Sequence, residues 1–353
     1  MEGNEMSKFL RNVLVGGAVA AGAAAWALAP RAFGDKRRNY VPAVPDVWYA
    51  HRGLHDAGSG LTAQYAVGSG DYVALARRMA MKAGYATPDE TGPIAPENSL
   101  ASFAAACEAG YGIELDVQLT LDGQVVVVHD EDLLRVAGDP RRIEDLTYDE
   151  LTRIPLFPGG KPGDAAAKPL PGAEQRPPLV TTPSSAPDGY YQHVPLFADV
   201  LKVVDGRVPL IVEYKFDCDA RWDERCELLM ERGDALLQGY EGAYVVESFH
   251  PQAMCWYKEH RPEACRGQLS EAASMGESGA SAWAAGLLVF DWLSRPDFVA
   301  YDWRGGNTPQ VRAARSMGAT TVSWTVRSQD ELAECDAWFD RHIFESFVPD
   351  PRQ

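Results

Sequence analysis

The chain has 353 residues, 46% of them hydrophobic, and this length allows one large barrel or two medium-sized domains. Its 33 Lys and Arg residues against 50 Asp and Glu residues give a net charge of -17, which argues against general affinity for nucleic acid or for an anionic membrane surface. The six cysteines are scattered without a CxxC pair, so neither a disulfide scaffold nor a zinc module is expected.

An apolar segment near the start of the chain, "VLVGGAVAAGAAAWALA" at residues 13–29, follows Lys8 and Arg11. Its length is at the short end of what crosses a bilayer. We predict an uncleaved hydrophobic anchor helix, in which residues 1–40 form a membrane anchor and spacer and residues 41–353 the main domain. A cleaved signal peptide and an Ala/Gly-rich tail are the alternatives. The excess of basic residues after the segment favours a cytoplasmic main domain, with an exported domain as the alternative.

The first strand predicted after the spacer is Val47–Ala50, which leads into the polar triplet His51-Arg52-Gly53. Residues 54–95 follow as an insertion that contains a pattern with helical spacing. The next helix begins in "PENSLASF", where Asn98 or Ser99 caps it, and it ends at Gly110. A strand therefore leads through a long connection into a helix.

The segment "YGIELDVQLTLDGQVVVVHDEDL" alternates apolar and polar residues, which predicts a strand. Because successive side chains point to opposite faces, Glu114 and Asp116 project from the same face, about 7 Å apart along the strand. Asp122-Gly123 predicts a tight turn, and the apolar run after it places His129 and Asp130 at a strand end.

Residues 155–195 are rich in Pro, Gly, Ala and Ser, which predicts a second insertion without regular structure. The strand "VPLIVEYKF" ends with Glu213 and Lys215 on one face, and strands and helices alternate from there onwards. This alternation predicts parallel strands, and the length fits a (β/α)8 TIM barrel with insertions. Catalytic residues of such barrels lie at the carboxyl ends of the strands, where we expect to find His51, Arg52, Glu114, Asp116, His129, Glu213 and Lys215.

These polar residues belong to short motifs that follow one another along the chain. The motifs are His51-Arg52-Gly53, Pro96-Glu97-Asn98-Ser99, Glu114-Leu115-Asp116, His129-Asp130, Glu213-Tyr214-Lys215 and Ser248-Phe249. In this order the set resembles the motifs of the glycerophosphodiester phosphodiesterase family, over about residues 47–349. The resemblance implies an enzyme of lipid metabolism, a phosphoric diester hydrolase that releases glycerol 3-phosphate and an alcohol from glycerophosphodiesters.

The resemblance also implies a role for each residue. Glu114, Asp116 and Glu213 would hold one divalent cation, Mg²⁺ or Ca²⁺, since converging carboxylates repel one another and are hard oxygen ligands. Arg52 and Lys215 would hold the phosphate oxygens. His51 and His129 would act as general acid and base, and which of them does which stays open. Glu97 and Asn98 would orient this set. Trp324 would pack on the substrate, and the alternative is that it belongs to the core.

The sequence departs from the family pattern in two places. Residues 54–95 separate the first two motifs, where the family has a short link, and we expect this segment to cover part of the mouth of the site. The stretch "HIFESFVPD" lacks the family's Asp-Gly and Thr-Asp, although Pro349 remains. His55 is interpreted as a residue outside the site, with a place at its mouth as the alternative.

Two other functions are compatible with the sequence. A related barrel phospholipase would cleave lysophospholipids or other lipid headgroup diesters. A barrel without activity would only bind its ligand, and the complete set of His, Arg, carboxylate and Lys residues argues against it.

Overall fold

The computed structural model describes residues 22–34, 44–168, 191–216, 221–272 and 283–350. In chain order, its strands are β1 (Trp48–His51), β2 (Gly112–Leu119), β3 (Val125–Val127), β4 (Asp132–Leu133), β5 (Asp139–Arg142), β6 (Leu210–Tyr214), β7 (Tyr244–Ser248), β8 (Arg266–Ser270), β9 (Phe298–Asp302), β10 (Thr320–Val326) and β11 (Arg341–Phe344).

Eight parallel strands of this described part close into a barrel. The order is β1, β2, β6, β7, β8, β9, β10 and β11, and β11 pairs with β1 to complete the circle. β3 adds to β2 in antiparallel orientation, and β4 and β5 form a separate pair. The TIM barrel predicted from the sequence is confirmed.

The helices of the described residues are α1 (22–28), α2 (Arg31–Gly34), α3 (Ala66–Lys82), α4 (Leu100–Ala109), α5 (Leu134–Ala137), α6 (Tyr148–Leu151), α7 (Phe197–Val204), α8 (Glu224–Gln238), α9 (Pro251–His260), α10 (283–286), α11 (Asp291–Ser294), α12 (Pro309–Ser316) and α13 (Gln329–Cys335). Inside the barrel, strand residues such as Tyr49, Ile211, Val245, Phe298 and Ile343 pack together. A larger apolar layer lies between the strands and the surrounding helices.

Local sequence explains how α4 is positioned behind the site. The Ser99 hydroxyl accepts from the Ser102 backbone N–H, and the Ser102 hydroxyl accepts from the Ser99 N–H, so two donors at the helix start are satisfied. Gly110 ends the helix with φ 79°, a left-handed conformation that glycine adopts without a Cβ clash. The predicted cap at Ser99 and the predicted end at Gly110 are both confirmed.

The two predicted insertions differ in how much of them is described. In residues 54–95, helix α3 buries Tyr72, Ala76 and Ala80 and packs along α4. Residues 54–61 are also largely buried and lie against the residues that follow β1 and β11. Of the second insertion, residues 169–190 lie outside the described residues.

The predicted transmembrane helix is wrong for the part of the chain described. No helix there is both long and apolar enough to cross a membrane, and residues 1–21 lie outside the described residues. The end of the apolar segment packs on the barrel, because Trp26 stacks on Trp292 with ring centroids 5.3 Å apart. Arg295 donates to the carbonyls of Trp26 and Ala29. The membrane partner predicted from this segment therefore has no support.

Candidate active site

Most of the polar residues predicted from the strand ends line one cleft of about 100 Å³ at the carboxyl end of the barrel, and Asp116 and Lys215 lie beside it, next to Glu213. Parallel pairing sets His51 of β1 opposite Glu114 of β2, and Asp116 of β2 opposite Glu213 of β6. The strand register thus brings together residues that lie far apart in the sequence. Side chains that line the cleft include His51, Arg52, Glu114, His129, Glu213 and Trp324.

Three buried carboxylates form the centre of the site. One oxygen each from Glu114, Asp116 and Glu213 lies within 4.8 Å of the other two. Burial, together with the neighbouring carboxylates, raises the pKa of Glu114 well above its usual range. Burial also raises the pKa of Glu213 to about 7, although Lys215 opposes this. A bound cation would offset the repulsion between the carboxylates, which adds to the effect of burial.

Asp116 differs from the other two carboxylates. It is 0% exposed, and burial alone would raise its pKa, but His129, Lys215 and Arg52 together hold the pKa below its usual value. Its Oδ2 accepts from Asn98 Nδ2 at 2.8 Å, while its Oδ1 has no hydrogen-bond partner among the described residues. A buried, charged oxygen without a hydrogen bond is a fitting ligand atom for a cation.

Two positively charged side chains, those of Lys215 and Arg52, flank the carboxylates. Lys215 Nζ lies 2.8 Å from Glu213 Oε1 and 3.8 Å from Asp116 Oδ1, and Arg52 Nε lies 3.5 Å from Asp116 Oδ2. Arg52 has φ 55°, and its backbone N–H donates to Glu114 Oε2 at 3.1 Å. Gly53 follows with φ 80°, and a Cβ there would lie 2.6 Å from Ser102 Oγ, so the turn that places Arg52 requires glycine.

The two predicted histidines enter the cleft from different elements. His51 ends β1, with Nε2 3.9 Å from Glu114 Oε2. Burial, and then Arg52, lowers the pKa of His51 to about 4. His129 follows β3, and its Nδ1 lies 2.7 Å from Asp130 Oδ1. Burial and Arg52 also lower the pKa of His129, so both rings are neutral near pH 7 in the site as described.

A chain of ion pairs connects Arg52 to His129. Glu97 accepts from Arg52 Nη1 at 2.7 Å and from both terminal nitrogens of Arg135 at 2.8 and 2.6 Å. Arg135 Nε donates in turn to Asp130, which contacts His129. Glu97 and Asn98 thus contact the residues that the sequence analysis expects them to orient. Arg135 was not predicted, because an arginine in a short surface helix carries no distinctive sequence signal.

Aromatic rings form one wall of the cleft. Trp324, on β10, meets Phe249 edge to face with ring centroids 5.5 Å apart. Lys215 Nζ lies 5.8 Å from the centroid of the Phe249 ring. Trp324 therefore lines the cleft and also packs against Phe249, which combines the two placements considered for it from the sequence.

Two buried acids near the site were missed by the sequence analysis. Glu247 is next to the Ser248-Phe249 motif and lines the cleft, and burial raises its pKa well above the usual range. Glu345, after β11, contacts both His51 and His55. Burial would raise the pKa of Glu345, but His51 and Arg327 hold it well below its usual value. The available signal was an acid at the end of an otherwise apolar strand. His55, interpreted as outside the site, is fully buried beside it.

Comparison with known proteins adds an independent finding. Residues 84–342 match the family model of the glycerophosphoryl diester phosphodiesterase family. The glycerophosphodiester phosphodiesterase of Caldanaerobacter subterraneus subsp. tengcongensis is 47% identical over 60 residues, which cover 17% of this chain and 25% of that protein. The enzyme of the same name from Bacillus altitudinis is 49% identical over 59 residues, 16% of this chain and 24% of that protein. The chain thus spans about a quarter of the length of the curated relatives it matches.

Solved structures share the fold. A putative glycerophosphoryl diester phosphodiesterase from Silicibacter pomeroyi aligns with a TM-score of 0.56 and 19% identity, over 87% of this chain and 92% of that one. A phosphodiesterase from Oleispira antarctica, solved in complex with the product sn-glycerol-3-phosphate, aligns with a TM-score of 0.51 and 20% identity, over 71% of this chain and 88% of that one. At this identity the likeness demonstrates the barrel architecture. The family match begins after His51 and Arg52, which the structure nevertheless places in the same cleft as the matched residues.

Proposed function

Since this chain belongs to the glycerophosphoryl diester phosphodiesterase family, we propose that it hydrolyses glycerophosphodiesters to glycerol 3-phosphate and an alcohol. The observation that carries the proposal is that three carboxylates, two positively charged side chains and two histidines lie together at one cleft. Hydrolysis of a phosphodiester needs charge compensation for the phosphate and two proton transfers, and this set offers groups for each.

The carboxylates fit one divalent cation. They supply only oxygen donors, they are buried, and Asp116 Oδ1 has no hydrogen-bond partner among the described residues. Mg²⁺ and Ca²⁺ prefer such ligands. Glu114, Asp116 and Glu213 would hold the ion, which when bound would neutralise the cluster and withdraw charge from the phosphoryl oxygens.

Arg52 and Lys215 would bind the phosphate. Both lie beside Asp116, and Arg52 Nε is buried without a hydrogen-bond partner in the described part of the chain. A guanidinium offers a planar pair of donors, and an ammonium offers a point charge. Glu97 accepts from Arg52 Nη1 and would thus fix the guanidinium before the substrate arrives.

His51 and His129 would move the two protons. Each ring has one nitrogen near a carboxylate, His51 near Glu345 and His129 near Asp130, which leaves its Nε2 for the substrate. One of the two rings, in its neutral form, would accept a proton from the attacking hydroxyl. The other, in its protonated form, would donate a proton to the leaving alcohol. The attacking hydroxyl is a glycerol hydroxyl of the substrate or a water molecule.

Turnover of sn-glycero-3-phosphocholine tests the proposal. We expect glycerol 3-phosphate release in Mg²⁺ or Ca²⁺ and none in EDTA. His51→Gln and His129→Gln should each lower kcat by a factor on the order of 10²–10⁴. His260→Gln is a matched control, because His260 stacks on Trp256 at the end of α9, away from the strand ends that form the cleft. Full activity in both cleft variants would contradict the proposal, and release only from lysophospholipid micelles would move it to the lipid substrates.

A further inference from the structure

Glu345 is a buried acid that the proposed reaction leaves without a role. It directly follows β11 and is 0% exposed. A carboxylate removed from water is costly unless donors surround it, so its partners indicate why the fold retains it.

One oxygen of this carboxylate binds the segment inserted after the first motif. Glu345 Oε1 accepts from the Gly60 N–H at 2.9 Å and from the Ser59 hydroxyl at 3.1 Å. It also lies 3.0 Å from His55 Nε2. Residues 55–60, here named the clamp loop, are therefore held against the end of β11.

The other oxygen faces the active site. Glu345 Oε2 accepts from Arg327 Nε at 2.9 Å and lies 3.2 Å from His51 Nδ1. The second contact is short, but it is not aligned as a full hydrogen bond, so its effect is chiefly electrostatic. His51 Nε2 is on the opposite side of the ring and faces the carboxylate centre.

This arrangement selects one form of the His51 ring. A carboxylate only accepts hydrogen bonds, so a neutral ring with Nδ1 beside it carries its proton on Nδ1. Nε2 then presents a lone pair to the cleft. Without Glu345 the ring would be free to exchange its tautomers and to turn.

We propose that Glu345 is a positioning residue for His51, which sets the orientation and the tautomer of the ring and couples both to the clamp loop. This inference rests on the proposed proton-transfer role of His51. The two places where the sequence departs from the family pattern, the inserted segment and the altered end of β11, meet at this one carboxylate. His51, His55 and Glu345 all lie outside residues 84–342, which match the family.

Glu345→Gln tests the inference through kinetics. Glutamine has nearly the same volume but cannot accept at both ends, so the contacts to His51 or to the clamp loop must be lost. With sn-glycero-3-phosphocholine and Mg²⁺ we expect kcat to fall by a factor of about 10–100, with KM unchanged, as for residues that orient a reacting group.

Glu331→Gln is the matched control. Glu331 also links the inserted segment to the end of β10, since it accepts from Tyr65 OH at 2.9 Å and from the Arg327 N–H at 2.6 Å, and it makes no hydrogen bond or ion pair with His51 among the described residues. If Glu345 only ties the insertion down, both variants will lose kcat equally, and the inference is overturned. If it positions His51, Glu331→Gln will keep the wild-type kcat.

Nitrogen NMR of ¹⁵N-histidine-labelled protein in Mg²⁺ provides a readout that needs no turnover. His51→Gln identifies the His51 resonances by their loss. We expect the His51 ring in the wild type to be protonated at Nδ1 and unprotonated at Nε2. We expect Glu345→Gln to change the populations of these two tautomers. Wild-type His51 protonated at Nε2 would overturn the inference, even if Glu345→Gln does not fold. An inactive wild type with the expected tautomer would refute the proposed function and leave this positioning contact standing.

Discussion

Replacing Glu97 by glutamine is expected to destabilise the protein strongly and to lower its activity. Glu97 is 2% exposed and lies between two arginines, with Arg52 Nη1 at 2.7 Å and Arg135 Nη2 at 2.6 Å. Its Oε2 also accepts from the Ser59 N–H at 2.6 Å. Glutamine keeps the shape of the side chain, but it leaves the buried guanidinium of Arg52 and the partly buried one of Arg135 without their shared counter-charge.

The expected size follows from this geometry. Removal of one partner of a buried ion pair costs about 3–5 kcal/mol, because the remaining charge stays buried. With an unfolding entropy of about 2.1 cal/mol/K per residue, 1 kcal/mol corresponds to roughly 1.4 °C in Tm for a chain of 353 residues, so a fall in Tm of roughly 4–7 °C is expected here. Because Arg52 would lose the partner that orients it, kcat/KM should also fall.

The effect depends on pH with a definite sign. Burial would raise the pKa of Glu97 from its usual 4.5, but Arg52 and Arg135 outweigh burial and hold it well below that value. A group with a lowered pKa in the folded state stabilises the fold above its unfolded pKa, and this contribution is lost as the pH falls through the folded value. The difference between wild type and variant should therefore be constant from pH 6 to 8 and shrink only below about pH 4.

Urea unfolding at several pH values, with kinetics on the same samples, measures both effects. Glu144→Gln is the control, because Glu144 pairs with Arg142 on the surface and its loss should change the free energy of unfolding by less than about 1 kcal/mol. A Glu97→Gln variant within 1 kcal/mol of the wild type at pH 7 would refute the argument that this carboxylate holds the two arginines in place.

Three further predictions concern metal, substrate and stability. Mg²⁺ or Ca²⁺ should raise the Tm of the wild type, since binding at a hundred times the Kd adds about 2.7 kcal/mol to the free energy of unfolding, and Asp116→Asn should abolish this rise. An equal rise in Tm for the variant by calorimetry would count against the metal site. Lys215→Met removes the positively charged side chain beside Glu213 and Asp116, and the resulting fall in kcat/KM should correspond to a loss of about 2–5 kcal/mol of transition-state stabilisation. Unchanged steady-state kinetics would exclude phosphate binding by Lys215. Asp291→Asn should stabilise the protein by about 1–3 kcal/mol at pH 8 and hardly at all at pH 4, and denaturation curves that coincide at pH 8 would disprove this. Both Asp291 oxygens are buried without hydrogen-bond partners in the described residues, and burial raises the pKa of Asp291 well above 3.8, so the carboxyl group lowers the stability only as the pH rises above 3.8.

Local patterns were enough to predict the barrel and the edge of it at which the candidate site residues lie. Alternation along β2 places Glu114 and Asp116 on one face, and a strand followed by a helix returns each new strand parallel to the last. Carboxyl ends of parallel strands share one edge, so the order of the motifs predicted that His51, Asp116 and Glu213 would meet there, and the strand register brings them together.

Residues that meet only through closure of the barrel could not be found in this way. Glu345 reaches His51 because β11 pairs with β1, a contact between the two ends of the fold that no local pattern contains. Arg135 reaches Glu97 from α5, a short helix outside the barrel strands, and no local pattern contains this contact either. An acid or an arginine near an element end has the same sequence appearance whether it is solvated or buried.

The segment at residues 13–29 illustrates the same limit. Its apolar composition is typical both of a helix in lipid and of a helix packed on protein, because both environments exclude water from the side chains. Only the contacts of Trp26 with Trp292 and Arg295 show where its described end lies. Composition thus determined that this segment is apolar, and the tertiary structure decided what its described end packs against.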